Sequence, residues 1–182
     1  MVTRHCPTSS ARSRGFTLVE ILVVVVILGI VSAVILPQIG SRDDLRVAAS
    51  ARIIMADLIY AQNLAISKQQ VHYLRFTGSG YGLYTVPTGG SPITHPMNKT
   101  PYTATFGAGG SAGMQQTSIV SSSFDGSQTL AFDELGAPYA FDTGTNNTVP
   151  LVAAGQIRIA SGAQTMTISV EPFTGEVMVS QP

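Results

Sequence analysis

The chain has 182 residues, of which ten are basic and ten acidic, and its formal net charge is +0 at pH 7. Arg4, Arg12 and Arg14 precede Gly15, so the rest of the chain has 10 − 3 = 7 basic against 10 acidic residues, which argues against an electrostatic nucleic-acid surface. The single cysteine, Cys6, also precedes Gly15, which excludes a disulfide framework or a cysteine metal site in the remainder. A charged fraction of 11% suits a β-rich exported domain better than a cytosolic helical enzyme.

A long apolar segment follows these arginines. Residues 16–36 contain one charged side chain, Glu20. A helix of this length would be about 31 Å long, which matches the roughly 30 Å of a bilayer core. The basic residues on the amino-terminal side predict that this end stays in the cytoplasm and that the remainder is exported.

The apolar segment could also be a cleaved secretory signal peptide or an uncleaved membrane anchor. A cleaved secretory signal peptide would need a shorter apolar core and a small-residue cleavage site, and neither Ser32-Ala33 nor Gly40-Ser41 provides one. An uncleaved anchor remains open, but it gives no reason for Glu20. A carboxylate in hydrocarbon is costly, so its presence there is itself a functional hypothesis.

The string RGFTLVE, followed by the apolar run, resembles the prepilin motif of type IV pilins and type II secretion pseudopilins. The resemblance implies that a leader peptidase cuts after Gly15 and then methylates the new amino terminus at Phe16. The basic Arg14, the glutamate at the fifth position after the cut (Glu20) and the later Pro37 belong to the same pattern. The implied leader covers residues 1–15.

The same resemblance supplies a partner for Glu20. Cleavage creates a cationic amine on Phe16, about one turn from Glu20 if both lie in one helix. In a filament, Glu20 can instead face the amine of a neighbouring subunit, and each charge then offsets the cost of burying the other. We therefore expect Glu20 to guide filament assembly by penalising any axial offset that leaves either charge unpaired.

The helix is expected to continue beyond the apolar run. Pro37 and Gly40 predict a bend, which divides a transmembrane or filament-core helix over 16–39 from an amphipathic continuation over 40–67. Apolar residues recur there at helical spacing and predict the buried stripe: Leu45, Ala49, Ile53, Ala56, Ile59 or Tyr60, and Leu64.

Alternation replaces the helical period after residue 67. VHYLRFT and YGLYTV, joined by GSG, predict a β-hairpin, and further strands are expected at TSIVSSSF, QTLAFD, QIRIAS, QTMTISV and EVMVS. Residues 87–113 are rich in Gly, Pro, Ser and Thr and predict a surface loop with one short strand near 102–106. The predicted fold is α+β, a long amino-terminal helix packed on a small antiparallel β-sandwich, with the exported domain over 68–182.

Three strings of the exported part resemble the GspH/FimT group of minor pseudopilins and minor pilins: ARIIMADLIYAQNLAISKQQVHYLRF, FDELGAP and TISVEPFTGEV. Gly136 and Gly175 are expected at positive-φ turn positions, and Pro138 and Pro172 are expected to fix turn geometry. The 87–113 loop has no counterpart in this group and is interpreted as an insertion. It could contact tip subunits or cargo, or form a disordered flap.

No catalytic or metal-binding constellation emerges. GGSAG matches the G-x-S-x-G nucleophile motif only formally, because no helix pattern follows it and the histidines (His5, His72 and His95) all precede Ser111. GAGGSAG lacks the Lys-Ser/Thr of a phosphate-binding loop, and His72 and His95 lack metal-ligand spacing. We expect no cofactor, no metal and no enzymatic activity.

Four acidic residues could in principle bind calcium: Asp125, Asp133, Glu134 and Asp142. Their spacing fits no calcium loop, so turn-forming or capping roles are predicted instead.

Three functions follow. The resemblance implies a minor pseudopilin at the tip of a type II secretion pseudopilus, with other pseudopilins, the prepilin peptidase and an inner-membrane assembly platform as partners. The protein would be a single-pass inner-membrane protein with a periplasmic domain before it enters the filament. The alternative is a FimT-like minor pilin for pilus priming or DNA uptake, although DNA is an unlikely partner because Arg158 is the only basic residue after Lys99. An anchored periplasmic enzyme is disfavoured.

Overall fold

The computed structural model describes residues 15–39 and 42–181. The chain divides into two compact units, residues 1–41 and residues 42–182. The predicted leader, apart from Gly15, lies outside the described residues, and so does Gly40 of the predicted bend.

The first unit contains helix α1, Leu18–Ile39. The helix begins two residues later than the predicted start at Phe16, and Pro37 lies within its span. No helix in the described parts of the chain combines the length and the apolarity needed to cross a membrane. The membrane crossing over 16–39 and the bend at Pro37 and Gly40 therefore stay predictions.

The second unit begins with helix α2, Asp43–Lys68. Asp43 and Asp44 lie in its first turn and Lys68 in its last, an arrangement that complements the helix dipole. Gln69 caps the carboxyl end of the helix in a left-handed conformation (φ 50°), and the N–H groups of Gln69 and Gln70 bond the carbonyl oxygens of Ile66 and Ala65.

The buried face of α2 differs from the prediction. The buried residues are Val47, Ser50, Ala51, Ile54, Leu58, Ala61 and Ala65. Of the predicted stripe, Leu45 is 67% exposed and Ile59 is 41% exposed. Small side chains such as Ala61 let the helix approach the sheets closely. Ser50 is the polar member of this buried face, and its hydroxyl donates a hydrogen bond to the carbonyl oxygen of Gly113 at 2.8 Å.

Within the described residues of the second unit, ten strands form two antiparallel sheets beneath α2. The six-stranded sheet has the order β3-β2-β1-β5-β6-β7, and the four-stranded sheet has the order β10-β9-β8-β4. The strands are β1 His72–Thr77, β2 Gly80–Tyr84, β3 Thr103–Thr105, β4 Ser118–Ser123, β5 Thr129–Phe132, β6 Pro138–Asp142, β7 Asn147–Pro150, β8 Gly155–Ser161, β9 Gln164–Val170 and β10 Val177–Ser180. The α+β class and the predicted hairpin, β1 with β2, are confirmed.

One hydrophobic core joins α2 to both sheets. The helix contributes Leu58, the six-stranded sheet contributes Leu74 and Phe132, and the four-stranded sheet contributes Ile157 and Ile168, all at most 1% exposed. Alternating burial along β8 places Ile157 and Ile159 in this core, as expected for a sheet with one solvated face.

Strands β6 and β7 were not predicted. Pro138 was assigned to turn geometry, but it is the first residue of β6, a position where a missing N–H is tolerated. β7 is an edge strand that ends in Pro150. Neither segment shows the alternation of apolar and polar residues from which the other strands were recognised.

The 87–113 loop contains the predicted short strand as β3. It is not confined to the surface, however, because Tyr102 is 7% exposed and Ala104 is 6% exposed, and both belong to the core. The loop therefore takes part in the packing of the second unit.

Candidate processing and assembly site

The bond between Gly15 and Phe16 lies before the first turn of α1. Residues 15–17 are neither helical nor buried, and Phe16 is 77% exposed. A Cβ placed on Gly15 would have no atom within 4 Å. An exposed, non-helical backbone of this kind is what a peptidase can bind and cleave.

Thr17 caps α1 and sets its starting point. Its side-chain Oγ1 accepts the backbone N–H of Glu20 at 3.2 Å, and its carbonyl oxygen accepts the N–H of Ile21 at 3.2 Å. Thr17 and Glu20 have the spacing of a capping box, S/T-x-x-E, so the start of the helix is also signalled in the sequence. Because Thr17 is the cap, Phe16 lies just before the first residue of helix α1 in the uncleaved chain.

Glu20 is exposed in the first turn of α1. A carboxylate at this position is favoured by the amino-terminal end of the helix dipole. In residues 15–39 and 42–181 the ion pair within 4.0 Å is Asp43 with Arg46, at 3.0 Å. The carboxylate of Glu20 thus forms no ion pair with any described residue.

Apolar side chains of α1 are exposed around the helix. Exposed fractions range from 82% at Leu18 to 44% at Val31. An apolar surface of this extent favours contact with another protein or a lipid phase over contact with water.

The outward face of α2 carries a second apolar surface. Its exposed residues alternate in steps of four and three, the spacing of a helix–helix seam, and we call them the outer stripe: Leu45, Ala49, Arg52, Ala56, Ile59, Asn63 and Ile66. Five of these seven side chains are apolar. This stripe contains Leu45, Ala49, Ala56 and Ile59 of the predicted buried stripe, which the fold turns towards solvent.

The turn that contains Gly136 and the turn that contains Gly175 meet at Gln62. The side-chain amide of Gln62 donates hydrogen bonds to the carbonyl oxygens of Gly136 (2.8 Å) and Thr174 (3.1 Å). Gly136 and Gly175 have φ of 84° and 67°, which confirms the predicted positive-φ turns. A Cβ on Gly175 would lie 2.6 Å from the amide nitrogen of Gln62, so close approach also requires glycine there.

Asp57 joins the 87–113 loop to α2. Its carboxylate accepts hydrogen bonds from the hydroxyls of Tyr81 and Tyr102, the latter at 2.9 Å. The ring of Tyr102 stacks on Tyr60 (5.4 Å between centroids) and on His95 (4.6 Å). Burial, followed by the charge of Asp57, raises the pKa of both Tyr81 and Tyr102 well above the ordinary tyrosine value of 10.0. Sequence reasoning did not find this cluster, because its members are far apart in the chain.

The residues of the formal catalytic motifs have structural roles. Ser111 Oγ accepts the backbone N–H of Thr105 at 3.0 Å, within a turn that leads to strand β4 and not to a helix. The Nδ1 of the buried His72 lies 2.8 Å from the carbonyl oxygen of Gln70. The geometry of a nucleophile elbow is therefore not present at Ser111.

Two of the four candidate calcium ligands, Asp133 and Asp142, shape turns as predicted, whereas Asp125 bonds the backbone of a segment 27 and 28 residues later in the chain. Asp125 accepts two backbone N–H groups at 2.7 and 3.1 Å, and Asp133 accepts two at 3.0 and 2.7 Å. Asp142 accepts the Thr145 hydroxyl at 2.7 Å, and this bond, with a backbone N–H, lowers the pKa of Asp142. No group of three His, Cys, Asp or Glu residues in the described chain could hold a metal ion.

Comparison with known proteins identifies the amino-terminal segment. Residues 10–36 match the model of the prokaryotic N-terminal methylation motif. A 30-residue stretch is 67% identical to the type II secretion system core protein G of Pseudomonas aeruginosa, and this covers 16% of the chain and 21% of that protein. The chain thus aligns with about a fifth of the length of this curated relative.

Among solved structures, the chain is similar to the type IV minor pilin FimU of Pseudomonas aeruginosa in two crystal forms. In space group P21 the TM-score is 0.47, with 13% identity over 74% of this chain and 87% of FimU. In space group P65 the TM-score is 0.46, with 14% identity over 73% of this chain and 91% of FimU.

Proposed function

The chain is a type IV pilin-like protein, and from this premise we propose that it is a minor pseudopilin of a type II secretion system. In this role it is a structural subunit at the tip of a periplasmic pseudopilus that helps to export folded proteins across the outer membrane. The observation that carries the proposal is the methylation motif over residues 10–36, which includes Gly15, Phe16 and most of helix α1, with its exposed apolar side chains.

Processing is the first step of the proposed role. The prepilin peptidase cleaves between Gly15 and Phe16 and methylates the amine of Phe16. The exposure of both residues and the helix start at Leu18 support this step, because the cleaved bond lies outside the helix that Thr17 caps.

Assembly is the second step. Before assembly the subunit is anchored in the inner membrane with its second unit in the periplasm, and the assembly platform then moves it into the filament. Glu20 pairs there with the amine of a neighbouring subunit. Its lack of an ion pair among the described residues and its place in the first helical turn support this pairing.

Contacts between subunits use the two helices. The exposed apolar side chains of α1 and the outer stripe of α2 are the surfaces on which other pseudopilins pack. The heptad-like steps of the outer stripe support helix–helix contact, since this spacing keeps one face of a helix towards its partner.

The charge of the exported part favours secretion over DNA uptake. After residue 15 the chain has 7 basic and 10 acidic residues, and Arg158 is the one basic residue beyond Lys99. Binding to a DNA backbone depends on clustered Lys and Arg, so this distribution supports a protein-export role.

The test is a clean deletion of the gene, scored in parallel for secreted hydrolases, twitching motility and DNA uptake. We expect loss of secretion with normal twitching and uptake, and restoration by the wild-type gene. Loss of twitching or uptake with normal secretion would contradict the proposal and assign the protein to a type IV pilus. Complementation with Gly78→Ala, a change at an exposed turn with no atom near the new Cβ, controls for expression.

A further inference from the structure

A cleft lies over the outer face of the six-stranded sheet, away from α2. Its volume is about 630 Å³, and strands β1, β2, β3 and β5 contribute to its floor and walls. Residues 87–89 and 126–128 close its sides. This volume falls within the roughly 300–1,000 Å³ that is usual for small-molecule sites.

Arg75 lines the cleft and is held there by stacking. Its guanidinium carbon lies 3.2 Å from the centroid of the Tyr84 ring. Arg75 pairs with Gly82 across β1 and β2, and a Cβ on Gly82 would come within 2.9 Å of the Tyr84 ring. Gly82 therefore leaves the space in which Tyr84 folds back to support the guanidinium.

The hydrogen-bonding capacity of Arg75 is unused within the described chain. Its Nε is buried and has no hydrogen-bond partner there, and no described acid lies within ion-pair distance of it. The residues that line the cleft include no Asp or Glu. Buried polar atoms such as this Nε are normally paired with acceptors, and the planar fork of arginine matches a carboxylate with two parallel hydrogen bonds.

The remainder of the lining is rich in hydroxyl and amide groups. Six of these side chains form no hydrogen bond of their own with any described residue: Thr88, Thr103, Thr105, Gln128, Thr129 and Thr143. The lining therefore combines the Arg75 cation with groups that both donate and accept hydrogen bonds. Such a lining complements a ligand that carries several hydroxyls beside one anionic group.

We propose that this cleft binds a sugar acid, with the carboxylate paired to the guanidinium of Arg75 and the hydroxyls bonded to the threonines of β3 and β5. The ligand is either a free uronic acid or a uronic acid unit of a polysaccharide. This binding goes beyond the filament role and does not depend on it, because every residue of the cleft belongs to the second unit.

The test is calorimetric titration of the full-length chain in a detergent without a sugar headgroup. D-glucuronate is expected to give saturable binding, and D-glucose and acetate are expected to bind at least about tenfold more weakly, since each lacks one half of the recognised chemistry. A glucuronate affinity no greater than that of glucose or acetate would overturn the proposal. Comparison of a galacturonate hexamer with the galacturonate monomer separates the two sources. Tighter binding of the hexamer assigns the site to a polysaccharide, and equal binding assigns it to the free acid.

Variants connect the binding to the cleft. Arg75→Gln should weaken glucuronate binding about tenfold or more, whereas the matched control Arg158→Gln removes the same charge from β8 and should leave it unchanged. Thr105→Val removes one hydroxyl but keeps Arg75 and the approximate shape of the side chain, and it should weaken glucuronate binding several-fold. Circular dichroism reports whether each variant is folded. If Arg75→Gln does not fold, Thr105→Val decides, and wild-type affinity in that variant would overturn the assignment.

Discussion

The carboxylate of Asp57 on α2 accepts a hydrogen bond from the hydroxyl of Tyr102, 2.9 Å away and 45 residues later in the chain. The same carboxylate accepts the hydroxyl of Tyr81 on β2. One acidic side chain therefore ties the helix both to the six-stranded sheet and to the 87–113 loop. The interpretation of this loop as a disordered flap does not describe the segment around Tyr102.

Removal of Asp57 should destabilise the second unit. Asp57→Ala leaves two buried tyrosine hydroxyls without their acceptor, and we expect the free energy of unfolding to fall by about 2–4 kcal/mol. Urea denaturation followed by circular dichroism measures this, since the chain contains no tryptophan. Asp44→Ala, which removes an exposed acid from the first turn of the same helix, should cost less than about 1 kcal/mol. Equal losses in the two variants would contradict the role given to Asp57.

Alkaline pH should destabilise the protein through the same cluster. The pKa values of Tyr81 and Tyr102 are raised in the folded state by burial and by Asp57, whereas unfolding returns them to about 10.0. Below pH 10 both states keep these protons, so stability there is insensitive to the two tyrosines. Above pH 10 the unfolded chain loses protons first, and stability should fall by about 1.4 kcal/mol per pH unit for each tyrosine until the folded pKa is reached.

Single substitutions test this pH dependence. Above pH 10 the free energy of unfolding should fall less steeply with pH in Tyr81→Phe and in Tyr102→Phe than in the wild type. The difference in slope should equal the contribution of the tyrosine that was removed. The slope is measured by urea titrations at a series of alkaline pH values. An unchanged slope in both variants would show that alkaline sensitivity arises elsewhere.

The glycine turn at Gln62 should tolerate no side chain. Gly175→Ala introduces a Cβ at φ 67°, 2.6 Å from the Gln62 amide nitrogen and 3.0 Å from the Gly136 carbonyl oxygen, and should cost about 2–4 kcal/mol. Gly126→Ala meets the φ penalty alone, because its Cβ would have no atom within 4 Å, and should cost about 1 kcal/mol. Thermal unfolding of both variants gives the comparison. A cost for Gly126→Ala as large as that for Gly175→Ala would show that backbone conformation, and not close approach, decides.

Filament entry should depend on Glu20. Glu20→Val removes the carboxylate proposed to pair with a neighbouring amine, so we expect processed subunit to accumulate and little of it to enter filaments. Immunoblotting of sheared filaments against the membrane fraction measures the ratio. Glu176→Gln, which removes an exposed acid from the second unit, serves as the control and should assemble normally. Full incorporation of Glu20→Val would refute the pairing.

Local chemistry in the sequence was sufficient to identify several elements. The hairpin of β1 and β2 follows from alternation on both sides of a glycine turn, and the positive φ of Gly136 and Gly175 follows from their turn context. The methylation motif is likewise a local signal, since the residues from Gly15 to Glu20 are contiguous. The cap at Thr17 was equally readable from its spacing to Glu20.

Tertiary packing alone decided the rest. Apolar side chains lie on more than one face of α2, so helical periodicity in the sequence is compatible with two different buried stripes. Only the fit of Ala51, Ala61 and Ala65 against the sheets selects the stripe that is buried. The pairing of Asp57 with Tyr102, and of Arg75 with Tyr84, depends on strands and loops brought together by the fold. The sequence by itself predicted the processing site and indicated the class of fold, because those signals lie within a few consecutive residues. The structure decided which surfaces remain free for a partner or a ligand, because that depends on contacts between residues far apart in the chain.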